Sequence, residues 1–534
     1  MILMIGLSVL HLSIYQNTFS KIAPVEGGVY AEGVIGTLDT MNPLFVSTNA
    51  ERAASKLMFA SLLSYDRKNT LRGELAETWS SEDDGRTFTV TLRDKLRWHD
   101  GEPLTIDDVM YTISLMKNPR VNSTLSRNWI DVTAAKKNDR QITFTLPAGY
   151  APFPHALTFG IVPKHILSQT PVERLRESTF NRDPVGSGPF EFRNLQIINQ
   201  DASRLVVYMN ANADYVLGKP KLERFQLHTY KDQAQLKQGF LTDEVNAAAD
   251  LTSEDMRSIL TARSDAVVSK ALVDNGVFAI FKNDSPILKQ PAVRAALQEA
   301  TNRPEIIQKL HGYGALIEGP LTKDHVTITN KQAAYNTEAA AQKLQAAGWT
   351  LVNGIRQKDG VPLTLKVVTP KSGDYQVVAQ ALTNQWRKIG VDVQLEQVSP
   401  ASIQQNVLVP RAYDILIYEL ATGADPDVFA YWHSSQTGPL GFNLASYASP
   451  VSDDALSSAR GRLDMTLRNA KYEAFTQQWL KDIPAIALYQ PRMHYVTDDT
   501  VRSMTTQTVL SEATSRYRAV EYWTVDRDRV SNTP

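Results

Sequence analysis

The chain has 534 residues, more than a single hydrophobic core usually serves, so two or three structural units are expected. A hydrophobic content of 43% and a charged content of 21% are typical of a soluble globular protein. The formal net charge of -1, without any basic run, argues against a nucleic-acid-binding protein. The absence of cysteine excludes disulfides, thiolate metal sites, a cysteine nucleophile and a lipid-modified cysteine.

The first 15 residues form an apolar run that is shorter than the roughly 20 residues of a membrane-spanning helix. Its length matches a signal h-region or the outer part of an anchor, although a basic start is missing. The polar stretch from Gln16 to Gly28 favours a detachable segment over a buried helix, and no small-residue cleavage box lies near Ala23. We therefore expect residues 1–20 to be an uncleaved hydrophobic anchor, which places the protein outside the cytoplasm at the cell membrane.

The globular part is expected to begin at Gly28. Residues 29–36 read as a strand, and the Asn42-Pro43 pair closes a turn after it. Residues 51–63 show a helical pattern, because apolar side chains recur along one face through Leu62. A strand followed by a helix is therefore the predicted opening of the fold.

Residues 75–109 predict a hairpin that feeds a helix. Asp84-Gly85 is a turn dipeptide, and the strand after it alternates Phe88, Val90 and Leu92 with polar residues. Thr105 precedes Asp107-Asp108, and its hydroxyl together with these carboxylates suits the free amides at the start of a helix.

The order of motifs in this stretch carries more information than its secondary structure. Leu-Ala-x-x-Trp from Leu75, Asp-Gly-x-x-Phe-Thr from Asp84 and His-Asp-Gly-x-Pro from His99 follow one another. This pattern resembles the extracytoplasmic solute-binding proteins of family 5, the peptide and nickel receptors of ATP-driven importers. Val-Gly-Ser-Gly-Pro-Phe from Val185 is similar to a further family landmark, and it lacks the spacing of a nucleotide-binding loop.

The second half of the chain alternates strand and helix patterns, as in an α/β domain. Residues 277–283 and 362–368 read as strands, and Asn336 precedes a helix that Gly348 ends. Residues 375–389 form an amphipathic helix, and a strand expected to be parallel follows it. The resemblance extends over about residues 28–525.

The resemblance implies an α/β periplasmic-binding-protein-like fold of type II, in its large three-subdomain variety, with two lobes, a hinge and a cleft. The core of lobe I is expected from residues 28–57, 185–276 and 489–534. Residues 58–184 are expected to form its accessory subdomain, and residues 277–488 lobe II.

The resemblance also implies a set of ligand-binding residues in the cleft. The family's ligand segment follows the Tyr-Asp strand, and its backbone can pair with a peptide as an added strand. An acidic residue of that loop meets the ligand's ammonium in related receptors; Asp425 is the substitute here, although Asp425-Pro426-Asp427 also suits a turn and a helix cap. The predicted ligand-binding residues are Asn42, Glu419, Leu420, Ala421, Thr422, Asp425, Trp432 and Tyr489.

Catalytic and metal chemistry find little support in the sequence. His-Glu-x-x-His and Gly-x-Ser-x-Gly are absent, and adjacent carboxylates fall in turns or helix starts. No histidine pair has the spacing of a zinc-binding helix, so no metal site and no cofactor are expected. We predict a monomeric, non-enzymatic receptor that delivers peptides to the permease of an ABC transporter. The alternatives are another solute, such as a nickel chelate or a sugar, and a peptide receptor or chaperone without transport.

Overall fold

A computed structural model describes residues 20–126, 129–199, 204–322, 325–503, 509–525 and 527–531. The apolar run of residues 1–15, predicted to be an anchor, lies outside the described residues. Within the described ranges, every helix falls short of the length and apolar character that crossing a bilayer requires.

Strands occur along the whole described chain. They are β1 (Ser20–Pro24), β2 (Val29–Ile35), β3 (Leu63–Tyr65), β4 (Leu71–Gly73), β5 (Ala76–Glu82), β6 (Thr87–Leu92), β7 (Thr133–Lys136), β8 (Gln141–Thr145), β9 (Phe190–Asn199), β10 (Arg204–Ala211), β11 (Arg224–Tyr230), β12 (Ala247–Ala249), β13 (Val267–Val268), β14 (Asn275–Phe281), β15 (Gly314–Ala315), β16 (Thr350–Val352), β17 (Ile355–Lys358), β18 (Val361–Pro362), β19 (Thr364–Pro370), β20 (Asp392–Val398), β21 (Ile415–Ala421), β22 (Ala485–Pro491), β23 (Tyr495–Thr497) and β24 (Arg527–Ser531).

Helices alternate with many of these strands. They are α1 (Asn49–Met58), α2 (Ile106–Lys117), α3 (Lys164–Leu167), α4 (Gln233–Leu241), α5 (Ser253–Ala262), α6 (Pro291–Glu299), α7 (Arg303–Lys309), α8 (Thr337–Ala346), α9 (Tyr375–Arg387), α10 (Pro400–Ile403), α11 (Phe429–Trp432), α12 (Pro450–Arg460) and α13 (Met465–Asp482).

Lobe I is built on a seven-stranded sheet with the order β13-β23-β12-β2-β11-β10-β9. Its central strand β2 runs parallel to β11 and β12, and the remaining pairs are antiparallel. An antiparallel four-stranded sheet, β5-β6-β8-β7, is added to this lobe. One hydrophobic core joins both sheets, so the four-stranded part packs as an accessory to lobe I.

Lobe II is built on a six-stranded sheet with the order β15-β22-β14-β21-β19-β20. Successive residues of β14 point to opposite faces, and two separate hydrophobic cores cover them: Val277 belongs to one core and Phe278 to the other. Burial of both faces explains the uninterrupted apolar runs of these strands. The parallel pairing of β19 with β20 and β21 confirms the expected α/β pattern.

The predicted hairpin and helix of residues 75–109 are confirmed. Phe88, Val90 and Leu92 are buried on one face of β6, which pairs antiparallel with β5. Thr105 caps α2, since its hydroxyl accepts the amide of Asp107 and its own amide donates to the Asp108 carboxylate at 2.8 Å. The local turn and capping signals therefore decide this part of the fold.

The predicted helix of residues 51–63 is too long, because α1 ends at Met58. Phe59 is extended, and the Met58 carbonyl accepts hydrogen bonds from the amides of Ser187 and Gly188 at 3.1 and 2.8 Å. Leu62 and Leu63 are buried without being helical. The apolar period continues past the helix because both segments face the same core.

Candidate binding cleft between the lobes

Two extended segments connect the sheets of the lobes. One lies between β13 and β14, and the other lies between β22 and β23. They pair with each other, since the amide of Val273 donates to the carbonyl of Pro491 at 2.9 Å and Leu272 forms a bridge with Arg492. Two short connections of this kind are what a hinge between two lobes requires.

A cavity of about 220 Å³ lies beside these connections, between the two lobes. Both lobes and the connections contribute to its lining. The lining residues are Asp250, Leu251, Met493, His494 and Ala513 from lobe I, Asn275, Tyr313, Gly373, Asp374, Tyr375, Glu419 and Tyr489 from lobe II, and Val273, Pro491 and Arg492 from the connections.

The carboxyl groups of the cavity lie on or near strand ends. Asp250 directly follows β12, Asp374 immediately precedes α9 in the turn after β19, and Glu419 lies near the end of β21. Strand ends in α/β sheets are where ligands bind, because the backbone there leaves the sheet and frees its polar groups. The topology of each lobe therefore directs acidic residues toward the same cleft.

Glu419 is held on lobe II by its neighbours. The Asn275 side-chain amide and the Tyr375 side chain hydrogen-bond its carboxylate. Burial raises the pKa of Glu419, and these two hydrogen bonds partly oppose the increase.

Asp250 lines the cavity from lobe I, and one of its carboxylate oxygens is buried without a hydrogen-bond partner among the described residues. Its Oδ1 accepts the side-chain amide of Asn49 at 3.2 Å, whereas its buried Oδ2 has no hydrogen-bond partner among the described residues. Burial raises the pKa of Asp250, and the nearby charge of Arg516 partly opposes this. A buried oxygen without a partner carries a free-energy cost that a bound donor would remove.

Two further buried polar atoms of the cavity lack hydrogen-bond partners in the described part of the chain. They are Asn275 Oδ1 and His494 Nε2. The nearest carboxylate to His494 Nε2 is Asp374 Oδ2, at 3.6 Å, and His494 Nδ1 lies 2.7 Å from the carbonyl of Leu251. Lining residues of both lobes thus have buried polar atoms that lack hydrogen-bond partners among the described residues.

The lobes contact each other directly around this cavity. The hydroxyl of Ser253 in lobe I donates to Asp374 of lobe II at 2.9 Å. On the accessory side, the hydroxyl of Tyr150 donates to Asp427 at 3.0 Å, and the amide of Ala151 donates to the carbonyl of Arg460 at 2.8 Å. The structure therefore has the two lobes closed on one another.

Two of the predicted ligand-binding residues, Glu419 and Tyr489, line the cavity. Leu420 is buried in a core of lobe II, the exposed Ala421 accepts a hydrogen bond from Tyr431, and the amide of Thr422 donates to the Asp274 carbonyl at 3.0 Å. Direct ligand contact by Leu420, Ala421 and Thr422 stays a prediction.

Trp432 and Asn42 are both fully enclosed. Trp432 packs edge-on against Phe278 and Trp479 in the core of lobe II. The side-chain amide of Asn42 donates to Asn181 at 3.1 Å, and its Oδ1 accepts the amide of Leu44 at 3.0 Å. Their predicted contacts with ligand remain untested.

Asp425 makes an ion pair within lobe II. Two nitrogens of Arg468 donate to its two oxygens at 2.6 and 2.7 Å, and the Asp427 amide donates to its Oδ1 at 2.9 Å. His155 of lobe I lies 3.5 Å from Asp425 Oδ2. The negative charge is thus already compensated, which favours the turn and packing role; contact with a ligand ammonium stays a prediction.

Sequence reasoning missed several polar residues that line the cavity, namely Asp250, Asn275, Asp374, Tyr375 and His494. They come from segments that are far apart in sequence, and no motif connects them. A local signal exists only for Asp250, which directly follows the apolar residues Ala247–Ala249 at a strand end.

The comparisons with known proteins cover nearly the whole chain. The family model described as bacterial extracellular solute-binding proteins, family 5, matches residues 70–440. The oligopeptide-binding protein AppA of Bacillus subtilis is 28% identical over 514 residues, which are 92% of this chain and 92% of AppA.

Solved structures show the same fold. AppA of Bacillus subtilis in complex with a nonapeptide aligns with a TM-score of 0.76 and 25% identity, over 94% of this chain and 100% of that chain. NikZ of Campylobacter jejuni in complex with Ni(L-His) aligns with a TM-score of 0.78 and 25% identity, over 93% and 99%. With the match of the family model to more than half of its residues, this chain belongs to family 5 of the bacterial extracellular solute-binding proteins.

Proposed function

We propose that this protein is the extracytoplasmic receptor of an ABC importer and that it captures short peptides in the cavity between its lobes. The observation that carries the proposal is the interlobe cavity itself, whose lining residues Asp250 and Asn275 each have a buried acceptor, Oδ2 and Oδ1, without a hydrogen-bond partner among the described residues. A peptide supplies N–H and ammonium donors for such acceptors. The likeness to peptide-bound AppA supports the same ligand class.

The edge of β21 offers a place for the peptide backbone. β14 pairs with β21 along residues 415–421, whereas β19 pairs with it only at Ile415 and Leu416. Residues 417–421 therefore have no strand partner on the β19 side within the described chain. On this side, the carbonyls of Ile417 and Ala421 accept hydrogen bonds from the side chains of Thr369 and Tyr431. An extended peptide that binds here as an added strand replaces these bonds and gains affinity without selecting side chains.

The cavity size favours short ligands in this closed arrangement. Its volume of about 220 Å³ is below the roughly 300–1,000 Å³ of pockets that hold drug-sized ligands. We therefore expect di- and tripeptides to bind with the lobes closed as they are here, and longer peptides to require a wider separation.

Closure of the lobes is the proposed capture step. A peptide binds one lobe while the cleft is open, and the second lobe then completes its hydrogen bonds. The closed form docks on the permease. Anchoring through residues 1–20 and a monomeric state belong to this proposal. The family model describes solute-binding proteins, and the proposal includes no catalytic step.

A nickel–histidine complex is the second candidate ligand, because NikZ in complex with Ni(L-His) has the same fold. His494 lines the cavity, and its buried Nε2 has no hydrogen-bond partner among the described residues. Against this candidate, the described residues contain no group of three or more His, Cys, Asp or Glu side chains that could hold a metal ion.

Native mass spectrometry of the protein purified without denaturation tests the proposal. The expected result is a series of co-purified short peptides that organic solvent releases. A protein that retains no peptide, and whose melting temperature is unchanged by di- to hexapeptides, would contradict the proposal. A mass increase that matches nickel with histidine would favour the second candidate.

A further inference from the structure

The interlobe cavity is lined by carboxyl groups from both lobes and by apolar side chains on its other walls. Its acidic groups are Asp250 of lobe I and Asp374 and Glu419 of lobe II, and its cationic lining residue is Arg492. The guanidinium of Arg492 is directed to backbone carbonyls, since it donates to Lys270 at 2.6 Å and to Gly312 at 3.3 Å. The carboxyl groups of the cavity are therefore not neutralised by this arginine through a direct ion pair.

Asp250 is the carboxylate that lacks a compensating partner of its own. The positive charge of Arg516 lowers the pKa of Asp250, but Arg516 donates two hydrogen bonds to the buried Glu32 at 2.9 and 2.7 Å. The positive charge of Arg516 is thus largely balanced by Glu32. The Asp250 carboxyl is hydrogen-bonded by Asn49, and the backbone of Ile35 also stabilises its charged form, whereas its Oδ2 has no hydrogen-bond partner within the described residues.

The other walls of the cavity suit an aliphatic or aromatic surface rather than a charge. Leu251 and Met493 line it from lobe I, and Tyr313 and Tyr489 line it from lobe II. A lysine or arginine side chain combines an apolar stem with a charged end, so its stem can contact these walls while its tip reaches a carboxylate. A ligand α-ammonium has a polar amide directly beside it and fits apolar walls less well.

From this arrangement we propose that the cavity selects ligands with a basic side chain, whose ammonium or guanidinium group pairs with Asp250. This inference rests on the proposed peptide-binding function and specifies its substrate class. Asp374 contributes a further carboxyl group from the facing lobe, and it lies beside the residues of lobe I only when the lobes are closed. Recognition of the basic group is thereby coupled to closure.

Calorimetric titration with three tripeptides, Ala-Lys-Ala, Ala-Gln-Ala and Ala-Glu-Ala, tests the inference. All three have the same α-ammonium and differ only in the central side chain. The expected affinity for Ala-Lys-Ala is about tenfold higher than for Ala-Gln-Ala, and Ala-Glu-Ala is expected to bind weakest. Asp250→Asn removes the charge and keeps a side chain of the same shape, so it should abolish the preference for lysine over glutamine.

Two controls separate charge recognition from altered folding. Asp139→Asn removes an almost fully exposed carboxylate of the accessory sheet, 97% exposed, and should keep the lysine preference. Asp374→Asn, on the opposite lobe, should reduce the preference if Asp250→Asn protein cannot be obtained.

Three outcomes would overturn the inference. Equal affinity for the lysine and glutamine peptides would do so while leaving peptide binding intact. An equal loss for all three peptides in Asp250→Asn would show that Asp250 binds the α-ammonium instead. Binding of none of the peptides would contradict the proposed function as well.

Discussion

Asp425 and Arg468 form a nearly buried ion pair in lobe II, with side chains that are 10% and 3% exposed. The pair joins the loop after β21 to helix α13, and Tyr472 accepts a further hydrogen bond from Arg468 at 3.2 Å. Taking one partner away leaves a buried charge without compensation, which costs more than the pair itself contributes. The Asp425 carboxylate therefore has a structural role, which is to hold the loop after β21 against helix α13.

We therefore predict that Asp425→Ala lowers the free energy of unfolding by about 3–5 kcal/mol. Urea denaturation followed by tryptophan fluorescence measures this change. Asp454→Ala is the control, because Asp454 is 76% exposed and pairs with Lys471 only at 3.7 Å. If Asp425→Ala abolishes peptide binding without changing stability, the carboxylate acts on a ligand ammonium and this account of it is wrong.

His99 is a second residue whose chemistry is set by its surroundings. Its Nδ1 accepts the amide of Gly186 at 3.2 Å, and its Nε2 donates to the carbonyl of Gly188 at 3.1 Å. Burial lowers the pKa of His99 to about 4, although the Gly188 carbonyl and Asp100 favour the protonated form. The folded protein therefore keeps this imidazole neutral in mildly acidic solution.

The free energy of unfolding should fall as the pH decreases from about 6.5 to about 4. In this window the unfolded chain binds a proton at His99 that the folded chain does not, so protonation favours unfolding. The two pKa values correspond to a loss of about 3 kcal/mol. His99→Gln should show a flatter dependence on pH than the wild type in denaturation experiments. Equal slopes for wild type and His99→Gln would contradict this assignment.

At the scale of elements, the segment Val185–Phe190 connects two parts of lobe I. A Cβ atom at Gly186 would overlap the carbonyl oxygen of Met58, and one at Gly188 would contact the backbone of Met58 and Phe59. Since the amide of Gly188 also donates to the Met58 carbonyl at 2.8 Å, the segment ends helix α1. The absence of side chains at both glycines permits this close approach of two backbones.

Gly186→Ala should destabilise the protein by about 2 kcal/mol, because the added methyl group has no space and the backbone must move. The melting temperature measured by calorimetry reports this change. Gly438→Ala is a matched control, since no atom lies within 4 Å of a Cβ built at Gly438. Two variants of equal stability would show that the segment can adjust without cost.

Sequence patterns predicted those elements whose signals are local. The hairpin at Asp84-Gly85, the cap at Thr105 and the helix that Asn336 begins all follow from turn and capping chemistry, and the structure confirms them. The end of α1 was predicted wrongly, because the groups that end it come from residues 187 and 188 and the apolar period continues beyond it. Hydrogen bonds to residues that are distant in sequence leave no pattern in the sequence around the helix end.

The candidate site was predictable only in part for the same reason. Glu419 and Tyr489 could be named because they lie on strands that a family motif marks. Asp250, Asp374 and His494 reach the cavity from three separate turns or connections, and only the packing of one lobe against the other brings them together. The ion pair of Asp425 depends on Arg468 in a helix 43 positions further along, so its compensation was equally invisible in the sequence.

At the scale of the whole molecule, the lobes are connected by two paired segments, and the cavity of about 220 Å³ lies between them beside these segments. Direct contacts between them include polar pairs, such as Ser253 with Asp374 and Tyr150 with Asp427, and the packing of Tyr313 of lobe II into a hydrophobic cluster of lobe I. The side chains of Asp427 and Asp374 are only 9% and 13% exposed, so separation of the lobes exposes groups that are largely buried here. A ligand that makes hydrogen bonds with both lobes therefore shifts the equilibrium toward the closed form.

The central claim is that a short peptide binds inside the interlobe cavity, and titration calorimetry with trialanine tests it most directly. Ala513→Phe places a ring in the cavity, and Ala213→Phe places the same ring on the exposed surface of lobe I. The account predicts saturable one-to-one binding for wild type and Ala213→Phe, and an affinity at least about tenfold weaker for Ala513→Phe. Equal affinity for all three proteins would place the peptide outside this cavity and contradict the account.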